Sequence, residues 1–394
     1  MAKWHPKRDQ DRFDRMGKMR KKRGRLPPAS ELEEPFEKEE STWDVDGESG
    51  AFAARVVEVH KKYAFISTEK VAGEVDTRDV WLATIARKYM LAERAERNLI
   101  AVGDRVLVTP ATAKDGPVQT DIPQCVIQHM APRHSKIARL DPHLPGMLHV
   151  LASNMDQVMI VASYTNPTIK WGLIDRYLVL AEVERVRSII VLNKRDLLAE
   201  ESDEYRQECA EREAIYKNLG YEVLSVQANA GKASKDPALK RLKELLTGRV
   251  TLLSGHSGVG KSSLVNLFKP EIVQAVEPDD NIFYKGRHTT SFASFIKLGS
   301  GGGYVIDTPG IRSFTFEELG PIELTDAFVE FRPLLGKCKY RECKHLDEPD
   351  CVIKDAVEAG TISKWRYKSY LGILLGATGR EGRVRDLPLE DQGE

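Results

Sequence analysis

Two short signatures stand in an order that rules out most simple arrangements of the chain. "NKRD" occupies Asn193–Asp196, and "SGHSGVGKSS" runs from Ser254 to Ser263. The second contains G-x-x-x-x-G-K-S, the pattern of a loop that cradles phosphates. The first is the N-K-x-D pattern of a guanine reader. In α/β domains that carry both, the phosphate loop ordinarily opens the domain and the base reader comes after it. Here the reader comes first. Either one match is accidental, or the domain has been cut and rejoined in a different order.

Context favours the second reading. "RVTLLS" before Gly255 predicts a strand, and "KSSLVNLF" after the loop predicts a helix. Strand, glycine-rich turn, helix is the setting such a loop needs. Gly255, Gly258 and Gly260 let the backbone curl so that its N–H groups point inward, and the helix N-terminus adds positive potential. His256, Ser257, Val259 and Ser263 complete the candidate phosphate-binding run. Lys261 can reach the β- and γ-phosphates, and Ser262 offers a hydroxyl to Mg²⁺.

"NKRD" follows the strand-like "SIIVL", at the carboxyl end where α/β sheets bind ligands. Asp196 can accept hydrogen bonds from guanine N1–H and the exocyclic amine, which adenine lacks at those positions. A site built on such bonds can discriminate by roughly 10⁴–10⁵. Asn193 can bond the N7/O6 edge and help fix the loop, the Lys194 stem can cover the base, and Arg195 completes the segment. "DTPG" (Asp307–Gly310) follows the strand "GYVI". Asp307 is placed to hold Mg²⁺ through water, and the Gly310 N–H to sense the γ-phosphate. Between phosphate loop and DTPG lies "GRHTTS" (Gly286–Ser291), where a switch loop must supply Thr289 or Thr290 to Mg²⁺. The order is therefore reader, phosphate loop, switch, D-x-P-G. Joining the old ends and opening a new break keeps every spatial neighbour, so the order predicts circular permutation. The segment after DTPG then leads straight into the C-terminal region, and nucleotide state could move that region directly.

That region carries "CKYRECKHLDEPDC", which spaces Cys338, Cys343, His345 and Cys351. Three thiolates and an imidazole make a closed tetrahedral shell for one structural Zn²⁺. Such an ion would staple a segment too small for a large core of its own. Cys125 and Cys209 stand apart and read as ordinary core or surface residues.

The rest of the chain suits this frame. Between Gly50 and Met130 lie the runs "ARVVEV", "YAFIST", "DVWLATI", "DRVLVTP" and "QCVIQHM", with a helical stretch over 86–98. Five short strands with Gly, Asp and Pro punctuation suit a small closed barrel, of which the OB-fold is the nucleic-acid-binding example. From about Leu148, apolar runs alternate with helical patterns, which predicts a largely parallel α/β sheet. Ile174, Tyr177, Leu178 and Ala181 share one helical face. Net charge is zero, with 59 basic and 59 acidic residues, but residues 1–25 carry eleven Lys/Arg against three Asp. That arm can neutralise nucleic-acid phosphates. No apolar run reaches the length of a membrane span, and the basic N-terminus lacks the apolar core of a secretory signal.

Taken together, permuted "NKRD", "GHSGVGKSS", "GRHTTS" and "DTPGIRSF", joined to the cysteine cluster and "AVEAGTISKWRYKSY", resemble the RsgA (YjeQ) family of circularly permuted, ribosome small subunit-dependent GTPases. "LIDRYLVLAE" (Leu173–Glu182) and "VGD" (Val102–Asp104) are also similar. The resemblance implies an OB-fold barrel at 51–138, a permuted P-loop GTPase domain at 145–321 and a helical zinc-binding domain at 322–375. These are flanked by an extension over 1–50, basic then acidic and disordered, and by a tail over 376–394. It implies a monomeric cytoplasmic protein that binds GTP/GDP, contacts the small ribosomal subunit and its rRNA, assists late maturation of that subunit, and hydrolyses GTP with the subunit's stimulation. An alternative is an rRNA-binding assembly factor gated by nucleotide, in which hydrolysis only resets binding. A metabolic kinase using the phosphate loop is a more distant rival, against which NKRD and DTPG both speak. The family's S-A-K segment is replaced here by "QAN" (Gln227–Asn229), where the Ala228 backbone is the guanine O6 contact. The barrel's usual arginine-glycine run is replaced by "LATIARKYMLAERAERN". Many GTPases orient water with a Gln after D-x-x-G; here Ile311 stands there and can orient nothing. Unaided hydrolysis is therefore expected to be slow. His288, with Lys261 and Thr290, forms the expected catalytic set.

Overall fold

The computed structural model describes residues 50–60, 63–69, 75–86, 98–112, 122–140, 147–230, 235–269, 293–299, 303–308 and 319–377. The N-terminal arm, most of the helix expected over 86–98, the loop Gly286–Ser291, and Gly310 and Ile311 lie outside them. The described residues form two compact units, one up to Thr308 and one from residue 319.

The first unit begins with a closed barrel of β1 (Phe52–Val59), β2 (Ala64–Glu69), β3 (Val75–Ile85), β4 (Arg105–Pro110) and β5 (Gln124–Met130). β1 pairs with both β2 and β4, β3 pairs with β2 and runs parallel to β5, and β5 pairs back to β4. The pairings run once round the five strands and close the barrel, in the strand order of an OB-fold. Alternate residues point inward, so that Ala54, Val56, Ile66, Val106, Val108 and Ile127 fill the centre. Cys125 sits among them, and burial pushes its thiol up to about 12, which makes it an inert packing residue. One carboxylate is buried in the barrel wall. Glu69 accepts from Arg55 at 2.8 Å and from Arg105 at 3.0 Å. Burial alone would raise the Glu69 carboxyl, but the two guanidiniums outweigh it and hold it below its ordinary value.

The "VGD" segment ties the barrel to the hairpin beyond it. Asp104 accepts from Arg133 through both oxygens at 2.7 Å, from the Ala101 N–H at 2.8 Å and from Ser153 Oγ at 2.6 Å. Gly103 has φ +96°, and a Cβ there would lie 2.1 Å from the Ser153 carbonyl oxygen, so only glycine allows this approach. Ser153 closes that hairpin, made of β6 (Lys136–Leu140) and β7 (Leu148–Ser153), which straddles 138–145, where the barrel was expected to give way to the next domain.

The α/β sheet adds β8 (Gln157–Ser163), β9 (Arg187–Asn193), β10 (Glu222–Ser225), β11 (Val250–Gly255), β12 (Ser294–Lys297) and β13 (Tyr304–Asp307), in the order β10-β9-β8-β11-β13-β12. The first five are parallel and β12 is antiparallel, so the largely parallel sheet expected from the apolar runs is present. Every residue of β8 and β11 is buried, as central parallel strands covered on both faces must be. Helices α1 (Trp171–Glu184), α2 (Arg195–Leu198), α3 (Asp203–Asn218), α4 (Pro237–Leu246) and α5 (Lys261–Phe268) make the connections. Ile174, Tyr177, Leu178 and Ala181 are all buried on α1, as their spacing predicts.

One feature had no sequence signal. β12 pairs with β1 at Glu58–Ser294, so barrel and α/β layer share one continuous eleven-stranded sheet. The junction is reinforced by Tyr304, whose hydroxyl accepts from the Val75 N–H at 2.7 Å and donates to the Val75 carbonyl at 3.1 Å.

The second unit contains α6 (Pro321–Ala327), a 3₁₀ turn over Val329–Leu334, α7 (Val352–Glu358) and α8 (Lys364–Ala377). Phe328, Phe331 and Tyr370 form its centre, with ring centroids 5.2–5.4 Å apart. Arg366, almost wholly buried, is held by Glu330 at 2.6 Å and lies over the Phe328 ring. Among the described residues, no helix is long and apolar enough to cross a membrane.

Candidate nucleotide site and metal centre

Parallel strands bring their carboxyl ends to one edge, and the register places the signatures there together. Ser163 pairs with Asn193, Val161 with Gly255, and Leu253 with Asp307. NKRD, the phosphate loop and Asp307 therefore lie at the carboxyl ends of β9, β11 and β13, on the same side of the sheet, although the chain visits them in permuted order.

The phosphate loop has the backbone its glycines promise. Gly255, Gly258 and Gly260 have φ of +141°, +82° and +95°. A Cβ on Gly255 would stand 2.1 Å from the Val161 carbonyl oxygen, and one on Gly260 would stand 2.2 Å from Asn193 Nδ2. Both positions are closed to any other residue without moving backbone or a buried amide. Val259 is buried beneath the loop, while Ser257, Gly258, Ser262 and Ser263 face outward. Lys261 opens α5, and its ammonium donates to the carbonyls of Gly255 at 2.9 Å and His256 at 2.8 Å. The charge is thereby held over the loop. The His256 ring is turned toward the Ser257 carbonyl at 3.0 Å.

Asn193 links the two signatures. It is 2% exposed, donates through Nδ2 to the Val259 carbonyl at 2.9 Å, and accepts through Oδ1 from the Ala228 N–H at 3.0 Å. Of the two roles its position suggests, loop fixing is the one its hydrogen bonds serve. The same bonds draw the "QAN" segment against NKRD, helped by Arg195 N–H to the Val226 carbonyl at 3.1 Å. The Arg195 guanidinium spans the Ser225 carbonyl and Asp236, the N-cap of α4, at 3.0 and 2.8 Å. Lys194 takes a left-handed conformation, φ 62°, and its ammonium donates to the Asn166 carbonyl.

Asp196 is the base-reading candidate. Its Oδ2 accepts from Asn229 Nδ2 at 3.1 Å. Its Oδ1 is buried and has no hydrogen-bond partner among the described residues. An orphaned carboxylate oxygen is costly, and it matches a ligand that brings its own donors. Asp307 ends β13, and Thr308 beside it is buried. His288, Thr289, Thr290 and Gly310 lie outside the described residues.

The candidate metal site belongs to the second unit. One ligand atom from each of Cys338, Cys343, His345 and Cys351 lies within 4.8 Å of the others. Cys338 Sγ is 3.6 Å from His345 Nδ1 and 4.0 Å from Cys351 Sγ, and His345 Nδ1 is 3.3 Å from Cys351 Sγ. A tetrahedron with Zn–S of about 2.3 Å and Zn–N of about 2.0 Å has edges of roughly 3.5–3.8 Å, so the donors are already spaced for one ion. Burial pushes the Cys343 thiol up to about 12, raises Cys351 as well, and lowers the His345 imidazole. A neutral imidazole is ready to ligate, and a bound cation supplies the charge that turns the thiols into thiolates. The backbone around them is fixed from α8. Tyr367 donates to the His345 carbonyl at 2.5 Å, and Tyr370 donates to the Lys344 carbonyl at 2.9 Å.

Comparison with known proteins decides the family. The sequence model described as RsgA GTPase matches residues 130–317. The "Small ribosomal subunit biogenesis GTPase RsgA" of Actinobacillus pleuropneumoniae serotype 5b is 36% identical over 315 residues, covering 80% of this chain and 82% of the relative. The chain belongs to the RsgA GTPase family. A relative of the same name from Haemophilus influenzae (strain PittGG) is 35% identical over 326 residues, 80% of this chain and 89% of its own. Among solved structures, YjeQ from Thermotoga maritima matches with a TM-score of 0.59 at 31% identity, covering 84% of this chain and 99% of that one. YloQ, described as a circularly permuted GTPase, matches at 0.57 and 25% identity, covering 84% and 96%. RsgA membership accounts for the unusual order of the motifs, which is a circular permutation. Sequence reasoning missed Asn229, whose only signal was its place in the segment that departs from S-A-K.

Proposed function

We propose that the chain hydrolyses the β–γ phosphoanhydride of GTP while bound to the small ribosomal subunit, and that this serves late maturation of that subunit. The observation that carries the guanine-nucleotide reading is Asp196 Oδ1, buried and without a hydrogen-bond partner among the described residues, just past the carboxyl end of β9 in the sheet that also bears the phosphate loop. The relatives' printed name supplies the subunit. In this reading Asp196 accepts from guanine N1–H and the exocyclic amine, Ala228 shares its N–H between Asn193 Oδ1 and O6 as a three-centre bond, and the Lys194 stem covers the base. Gly255 to Ser263 enclose the phosphates, with Lys261 on the β- and γ-oxygens. Ser262, Asp307 and one of Thr289 or Thr290 hold Mg²⁺, which neutralises charge developing on the phosphates. Gly310 senses the γ-phosphate, and His288 orients the attacking water once the subunit orders its loop. Cys338, Cys343, His345 and Cys351 hold one structural Zn²⁺.

The basic arm over 1–25 supports rRNA contact, and the barrel's OB topology is compatible with it. The absence of a spanning helix among the described residues is compatible with a cytoplasmic site of action. The protein is expected to act as a monomer, divided as barrel, GTPase layer and zinc-binding region. GTP turnover measured with and without purified small subunits tests the proposal. Stimulation by orders of magnitude is expected; equal rates would sink it. Binding to the subunit with a non-hydrolysable GTP analogue separates this reading from hydrolysis as mere reset, in which binding is intact and only release fails.

A further inference from the structure

The base-reading carboxylate needs a holder, and the family's S-A-K segment is absent. Gln227 and Asn229 stand where the pattern has Ser and Lys. The Gln227 side chain makes no hydrogen bond among the described residues, whereas Asn229 Nδ2 donates to Asp196 Oδ2 at 3.1 Å. A carboxylate only accepts, so the amide must present its NH₂ to Asp196.

We infer that Asn229 is a positioning residue for guanine specificity, a role that rests on Asp196 being the base reader. A carboxylate is planar, and its terminal torsion is broad when nothing holds it. Fixing Oδ2 therefore fixes the direction of Oδ1, the buried oxygen that has no hydrogen-bond partner among the described residues. A carboxylate has about four lone-pair sites. Asn229 takes one on Oδ2 and leaves Oδ1 and the remaining site of Oδ2 for two donors side by side, as guanine presents at N1 and the 2-amino group. Backbone geometry keeps the holder in range. Ala228 is locked to Asn193 at 3.0 Å, and Asn229 comes next in the 3₁₀ turn Ala228–Ala230. The Asn229 side chain is exposed, so it contributes to no core and its removal leaves packing intact.

The test uses the full chain and compares GDP with IDP, which lacks the 2-amino group. Asn229→Ala is expected to weaken GDP binding by about five- to tenfold, because guanine must then order a carboxylate that nothing else holds, and IDP binding by less, so that the GDP/IDP preference shrinks. The urea midpoint should stay at its parental value, because the side chain is exposed. Asn229→Gln keeps the amide donor and should recover part of the preference. Asp196→Asn is run beside them, with xanthine nucleotide as the expected new ligand. If Asp196→Asn switches to xanthine while Asn229→Ala keeps the full GDP/IDP preference, Asp196 reads the base unaided and the inference about Asn229 is wrong. If Asp196→Asn leaves guanine preference intact, the base reading itself fails and Asn229 falls with it.

Discussion

Asn193→Ala is the most informative single change at this site, because one buried amide joins the base reader to the phosphate loop. The substitution removes the bonds from Nδ2 to the Val259 carbonyl and from the Ala228 N–H to Oδ1. Each intramolecular hydrogen bond contributes about 1 kcal/mol net, and a buried group left without a partner costs about 1–3 kcal/mol. Val259 and Ala228 are 3% and 6% exposed, so water reaches their freed backbone groups poorly. The two orphaned groups together come to about 2–6 kcal/mol in unfolding free energy. Nucleotide affinity should fall too, because the loop and the "QAN" segment are positioned by the same side chain. Urea unfolding and GDP titration measure the two effects. Asn193→Asp sharpens the test. It keeps an acceptor for Ala228 but turns a carboxylate toward the Val259 carbonyl, so it should be no more stable than the alanine variant. An Asn193→Ala protein within about 0.5 kcal/mol of the parent, the scatter of an ordinary surface substitution, and with unchanged GDP affinity would refute the brace.

Three further outcomes are expected. Freshly prepared reduced protein should carry about one Zn²⁺ per chain, and Cys343→Ala should lower the thermal midpoint of the C-terminal unit while GDP still binds; metal analysis and calorimetry check both. His288→Ala should bind GTP and engage the small subunit yet lose most of its stimulated turnover, whereas Lys261→Ala should weaken nucleotide binding itself; full stimulated turnover by His288→Ala would move water positioning to rRNA or backbone groups. Glu69 is held below its ordinary value of 4.5 by Arg55 and Arg105, so the stability it contributes is present above that pH and lost as pH falls through the depressed value. Unfolding free energy measured from pH 6 to pH 3 should therefore drop less steeply for Glu69→Gln than for the parent.

Much of this protein is written in local sequence. A phosphate loop is a backbone conformation, and glycines within a few residues of one another dictate it, so Gly255, Gly258 and Gly260 were legible without a fold. The same holds for apolar runs such as "QVMIVAS", whose uninterrupted burial marks a central parallel strand, and for Cys338, Cys343, His345 and Cys351, whose donors converge within one short stretch of chain. Motif order alone announced the permutation, because each signature keeps its own strand whatever the chain order. Tertiary structure decided what depends on register between distant strands. Nothing local to "QAN" says that Asn229 reaches Asp196, since that contact depends on β10 lying beside β9. Nothing in "FASFIKL" or "ARVVEV" says that β12 adds to β1, or that Tyr304 bonds Val75 across 229 residues of sequence. Strand edges offer the same N–H and C=O groups whatever their side chains, so a partner is chosen by how whole layers pack, and only the folded molecule contains that choice.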